Sequence, residues 1–215
     1  MGYPPGASAA VCGGQVMNVV IGLSGQLGSG KSTIARGLAR AMHCDSASFG
    51  EYVRWLARRG EYYVDRQTLQ YLGQDELDSR GAEQFCIDML GQQVPNFGPG
   101  NRLVIDGVRH LAIARALRAL LRPSEFFLIY MSVDNRVRFN RITMREISGG
   151  DGESLRKLVE ELDLHPTEVE VRKALRGHAD LTLSATRPSS ELVRAVLQFI
   201  SEEKNLRVNS RALAQ

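Results

Sequence analysis

A chain of 215 residues, 43% hydrophobic and 24% charged, has the make-up of an ordinary soluble globular protein with one sizeable core, or one core carrying small insertions. Its net charge of +3 is too small to argue for nucleic acid by itself. The widely separated Cys12, Cys44 and Cys86 offer neither a disulfide framework nor metal-ligand spacing, which points to a reducing, cytoplasmic setting.

The first stretch, Met1 to Gly14, lacks the basic-then-apolar pattern of a signal peptide, and residues 1–16 are expected to form a disordered tail with Met17 a candidate start. Asn18 to Leu23 is short, apolar and β-branched, the pattern of a buried strand. Thr33 to Met42 has helical periodicity, with Ile34, Leu38 and Ala41 on one face. Cys44 to Phe49 reads as a second short strand, followed by helices over Gly50 to Arg59, Arg66 to Leu77 and Ala82 to Val94. After the loop Pro95 to Gly100, strands are expected at Leu103 to Asp106 and Phe126 to Val133, with a helix at Leu111 to Leu121 between them. Asn135 to Ile147 reads as a helix stopped by Ser148 to Gly152. Helices over Glu153 to Leu162 and Thr167 to Leu175, a strand over Ala179 to Leu183 and a helix over Ser189 to Glu203 complete the chain. Strands that alternate with helices predict an α/β fold with a parallel sheet. The helix-only stretches Gly50 to Val94 and Ser148 to Leu175 read as inserts on that sheet, and no run is apolar enough to span a bilayer.

Between the first strand and the first helix lies Gly25-Gln26-Leu27-Gly28-Ser29-Gly30-Lys31-Ser32-Thr33, in which Gly25, Gly30, Lys31 and Ser32 fit G-x-x-x-x-G-K-S/T. Glycine lets successive N–H groups converge on a phosphate chain without Cβ clashes, and the helix start adds its unpaired amides. Gly28, Ser29 and Thr33 belong to the same cradle, Lys31 brings a mobile charge to the β- and γ-phosphates, and the Ser32 hydroxyl suits Mg²⁺. Asp106 ends a buried strand, where ligands of doubly wound sheets gather, and is a candidate to hold Mg²⁺ through water. Arg138, Arg141 and Arg145 recur at three- and four-residue steps, so they share one helix face, either as a solvated stripe or facing a polyanion.

Four segments carry a resemblance that spans most of Asn18 to Ile200. They are the glycine loop, Ser48-Phe49-Gly50-Glu51-Tyr52-Val53-Arg54, Ile105-Asp106-Gly107-Val108-Arg109, and Asn140-Arg141-Ile142-Thr143-Met144-Arg145. Together they resemble the P-loop kinases of the nucleoside monophosphate kinase group, adenylate kinase-like in pattern, and are also similar to dephospho-CoA kinase and deoxynucleotide monophosphate kinase. The third segment is one residue shorter than the family's D-G-F-P-R and lacks its proline. The resemblance implies a three-layer P-loop NTPase fold, with a five-stranded parallel sheet in order 2-3-1-4-5 and helices on both faces. It implies a kinase domain over 17–205, an acceptor-binding insert near 50–98, a short lid near 136–175 and a frayed tail over 206–215.

By the same resemblance, Ser48, Arg54, Arg109, Arg138 and Arg172 serve the acceptor, while Arg141 and Arg145 arrive from the lid to stabilise the transferring phosphoryl group. Ser148 to Gly152 then reads as the lid hinge. Asp45 is a candidate proton acceptor for an alcohol, or else a turn cap. The implied cofactors are ATP and Mg²⁺. The leading acceptor is a (deoxy)nucleoside monophosphate. Dephospho-CoA stays open because its kinases share this architecture, and a hydroxymethylated base in DNA because Arg54, Arg58, Arg59 and Arg66 lie among Tyr52, Trp55, Tyr62, Tyr63 and Tyr71, aromatics that read equally well as the insert's own core. Nucleic acid is therefore a less favoured partner than a small molecule, and an ATPase switch or a nucleotide-binding regulator is the reading from another class.

Overall fold

The computed structural model describes residues 18–98, 101–146, 160–161, 163–164 and 166–212; for Arg145, Glu146 and residues 206–212 only the backbone is described. The expected tail, Met17, Cys12, the hinge Ser148 to Gly152 and most of the helix Glu153 to Leu162 lie outside these residues.

Strands β1 (Val19–Ser24), β2 (Asp45–Ser48), β3 (Leu103–Asp106), β4 (Glu125–Ser132) and β5 (Leu181–Ser184) form one sheet in the order β2-β3-β1-β4-β5. Every neighbouring pair is parallel. The helices are α1 (Lys31–Met42), α2 (Phe49–Arg59), α3 (Arg66–Gln93), α4 (Leu111–Leu120), α5 (Asn135–Glu146) and α7 (Ser189–Ala212). Between α5 and β5 runs α6, built of Pro166–Glu170, a π-helical stretch Val171–Leu175, and Arg176–His178.

The central strands are buried on both faces, which is why they read as continuous apolar runs rather than as alternation. The two-residue period nevertheless sorts their side chains. Val20, Leu103, Ile105, Phe126 and Leu128 pack with α2, α3, α4 and α6. Val19, Ile21, Leu23, Val104, Phe127, Ile129 and Met131 pack with α1 and α7. The expected three-layer architecture and strand order are thus the observed ones.

The pair of helices expected across Arg66 to Val94 is observed: α3 is broken at Gly81, whose non-helical φ of 77° and ψ of 161° only glycine adopts readily. Two elements differ from expectation. The last helix continues to Ala212, since no glycine or proline after Glu203 stops it. The simple helix expected over Thr167 to Leu175 contains the π-helical stretch. Among the described residues no helix is long and apolar enough to cross a membrane.

Parallel pairing brings the carboxyl ends of three strands to one edge. Leu23 of β1 and Ser48 of β2 both register with Asp106 of β3, so the loops after all three open together. In such sheets this edge is where ligands bind.

Candidate active site

The loop from Gly25 to Gly30 leaves β1 at that edge and feeds directly into α1. Gly25, Gly28 and Gly30 all have positive φ, at 137°, 75° and 83°. At Gly28 space demands glycine as well, because a Cβ would lie 2.9 Å from Arg138 Cγ and 3.0 Å from Ile142 Cγ1. The loop is therefore pressed against α5. Gly30 is the N-cap of α1 and brings no capping side chain, so the helix start meets the loop as bare backbone. The Ser29 N–H donates to the Gln26 carbonyl at 3.1 Å, which closes the turn. Lys31 is buried and lies back across the loop, donating to the Gly25 and Gln26 carbonyls at 2.5 and 2.8 Å.

Ser32 and Asp106, 74 residues apart in sequence, meet here: the Ser32 hydroxyl donates to Asp106 Oδ2 at 2.6 Å. The second carboxylate oxygen, Oδ1, is buried and has no hydrogen-bond partner. Such an oxygen beside a hydroxyl fits a hard divalent cation, and Mg²⁺ is ordinarily held by one or two protein oxygens together with substrate phosphates. Among the described residues no cluster of three or more His, Cys, Asp and Glu could hold a metal alone.

Next to this loop opens a cavity of about 430 Å³, within the range of small-molecule sites. Phe49, Val53, Leu69, Phe85 and Ile113 make its apolar wall, and Arg54, Arg66 and Arg109 supply cationic groups. Leu27 of the phosphate loop and Gly107 after β3 also line it, so the cavity and the loop share a boundary. Arg54 donates to Glu51 at 2.5 Å on the same helix, while Ser48 acts as the α2 N-cap, accepting the Glu51 N–H at 3.3 Å. Gln93 at the far end of α3 pins Ser48 from both sides, accepting its N–H at 2.8 Å and donating to its carbonyl at 2.9 Å.

Arg109 is bonded to Glu168 of α6, a side chain only 3% exposed. The other Glu168 oxygen accepts the Leu27 N–H at 3.4 Å. Burial raises the Glu168 carboxyl, but the charges of Arg109 and Lys31, with hydrogen bonds from Arg109 and Leu27, outweigh it and hold the group below the usual glutamate range. Two residues on, Glu170 accepts the Leu111 N–H at 2.7 Å and pairs with His110 Nδ1 at 2.9 Å. Two carboxylates of α6 therefore grip Arg109, His110 and Leu111 in succession.

The sequence profile of a family described as an AAA domain matches residues 21–161, the span that carries this loop, the cavity and α5. The chain belongs to that family. The AAA-domain chain is 31% identical over 130 residues to a cytidylate kinase of Pyrobaculum calidifontis, covering 60% of this chain and 61% of that protein. It thus spans about 61% of the length of the curated relative it matches. Among solved structures, a shikimate kinase from Bacteroides thetaiotaomicron superposes with a TM-score of 0.52 at 16% identity, covering 85% of this chain and 98% of that one. A gluconokinase from Sinorhizobium meliloti does so with 0.52 at 16%, covering 90% and 98%. At these identities the structures share the fold alone. The resemblance to P-loop kinases read from the sequence is the relationship these comparisons find.

Not every expected residue of the AAA-domain chain reaches this edge. Asp45 is exposed at the amino end of β2, in register with Leu103, three residues and roughly 10 Å along the strand from Ser48. Parallel strands open ligand sites at their carboxyl ends, and Asp45 stands at the other end. Arg138 is buried with its guanidinium in a two-pronged pair with Asp163, and its stem packs on Gly28. That location is the phosphate loop, not the cavity beside it, to which Arg138 does not contribute. Arg141 lies over the loop, donating to the Ala185 carbonyl at 2.8 Å, with Nη1 facing Gly30. The Arg145 side chain lies outside the described residues, and Arg172 is exposed on α6.

The insert aromatics also divide. Tyr52 is core, stacked on Trp55, and Tyr62, Tyr63 and Tyr71 are exposed; the rings lining the cavity are Phe49 and Phe85. Glu168, Glu170 and His110 were not legible as site residues. An acid in the first turn of a helix reads as a solvated dipole partner, and nothing in the pattern tells it from a buried one.

Proposed function

We propose that the protein is an ATP- and Mg²⁺-dependent phosphotransferase that moves the γ-phosphate to a small nucleotide-like acceptor, a (deoxy)nucleoside monophosphate before others. The observation that carries this reading is the shared boundary of the phosphate loop and the arginine-bearing cavity at Leu27, Gly107 and Arg109. A switch or regulator needs the loop but not an adjoining cavity for a second substrate. The cytidylate kinase relative supports the monophosphate as acceptor.

In this reading the loop amides and Lys31 would hold the triphosphate, and Ser32 and Asp106 would hold Mg²⁺, which would supply neutralisation of phosphate charge. Arg54 and Arg109 orient the acceptor's anionic group, while Phe49 and Phe85 bound its apolar body. Arg141 covers the transferring group, and Arg145 is the second arginine that the family resemblance assigns to that role. The work is positioning and charge stabilisation, with little covalent chemistry.

One observation favours a second acceptor class. His110 lines the cavity, and its Nδ1 is held by Glu170, the arrangement of a general base for a hydroxyl such as that of dephospho-CoA or a hydroxymethylated base. A panel of monophosphates, nucleosides, dephospho-CoA and hydroxymethylated DNA, each with labelled Mg·ATP, decides between the two. Label should pass to monophosphates and fall about 10²–10³-fold in Lys31→Ala. Transfer to alcohols alone selects the second class. Acceptor-independent release of phosphate rejects both.

A further inference from the structure

Glu168 stands where the donor loop and the acceptor cavity meet. It lines the cavity, accepts an N–H from the phosphate loop at Leu27, and is bonded to Arg109, the arginine at the boundary. Lys31, the loop's own cation, acts on it electrostatically. A loop amide and a guanidinium bonded to one carboxylate, with the field of a nearby ammonium, constitute an anion site, and here the anion is part of the chain. A strut needs none of this. Glu170 alone already ties α6 to the start of α4 through Leu111 and His110, so the fold does not require Glu168 to bridge the same two elements.

The geometry points to Glu168 as a displaceable internal anion that positions Arg109 and couples donor binding to acceptor binding. This rests on the reading that the loop takes a nucleoside triphosphate. A polyphosphate on the loop brings negative charge against the Glu168 carboxylate and competes for the Leu27 amide. Glu168 then withdraws and hands Arg109 to the acceptor's anionic group. An acceptor that takes Arg109 first loosens Glu168 in turn, so each ligand favours the other, as linkage requires. Without a donor, Arg109 stays neutralised and the cavity holds anions poorly.

The test is calorimetry of the full chain with Mg·adenylyl-imidodiphosphate, with and without cytidine monophosphate, for wild type, Glu168→Gln and Glu168→Asp, each checked for folding by its thermal transition. Wild type is expected to bind the triphosphate analogue about 5–150-fold more tightly when the monophosphate is present. Glu168→Gln is expected to bind it about tenfold more tightly alone, with the coupling reduced toward onefold. Glu168→Asp keeps the charge and should bind no more tightly than wild type. Equal or weaker binding by Glu168→Gln overturns the proposal. Equal tightening in both variants overturns it too, because that marks a packing effect. If wild type and Glu168→Gln both fail to bind the analogue, the phosphate-loop reading falls and this inference falls with it.

Discussion

Replacing Gly28 with alanine probes the junction between the phosphate loop and α5. The residue has φ of +75°, where an L side chain costs about 1–2 kcal/mol. Its Cβ would stand 2.9 Å from Arg138 Cγ, 3.0 Å from Ile142 Cγ1 and 3.1 Å from the Arg138 carbonyl oxygen. Two of these neighbours cannot yield easily: one is backbone, and the Arg138 side chain is fixed by its buried pair with Asp163. Overpacking of this kind adds about 1–3 kcal/mol. The sum, about 2–5 kcal/mol, corresponds to a loss of roughly 4–20 °C in Tm for a domain of this size. Gly30 is the internal control. Its φ of +83° carries the same backbone strain, but its Cβ meets only Arg141 Nη1, at 3.7 Å. Gly30→Ala should cost about 1–2 kcal/mol, roughly 2–8 °C. Differential scanning calorimetry of both variants, with triphosphate titrations alongside, gives the comparison. If Gly28→Ala melts at or above Gly30→Ala, α5 does not press on the loop at Gly28.

Asp45→Ala should leave phosphotransfer within about twofold of wild type, because an exposed residue at the wrong end of β2 touches nothing in the site; a loss of tenfold or more in kcat would restore it as a base. Glu168 carries a lowered carboxyl pKa in the fold, so its stabilising effect is present above the range where free glutamate titrates and is lost as pH falls through and below that range. Denaturant midpoints measured from pH 7 to pH 3 should therefore fall more steeply for wild type than for Glu168→Gln, and parallel curves would refute this. Cys86 is fully buried, and burial with the Glu83 charge pushes its thiol up to about 12, so at pH 8 it should resist a disulfide reagent until the protein unfolds. Labelling of Cys86 in the native protein, read by peptide mass, would contradict that burial.

The chain's local patterns were enough for its class and its phosphate loop. Apolar β-branched runs such as Asn18 to Leu23 mark buried strands wherever they stand, and G-x-x-x-x-G-K-S specifies its own geometry through glycine's freedom at positive φ. Asp106 was legible because a strand end beside such a loop has few other roles. The cavity side of the site was not legible in this way. Which arginine is bare and which is paired depends on partners 25 or 59 residues away, as Arg138 with Asp163 and Arg109 with Glu168 show. Asp45 and Ser48 sit on one strand, and only parallel register with Leu103 and Asp106 tells which end faces the ligand. Periodicity is a property of neighbours along the chain and survives reading alone. Charge neutralisation and burial belong to neighbours in space, which α6 supplied only once the fold closed.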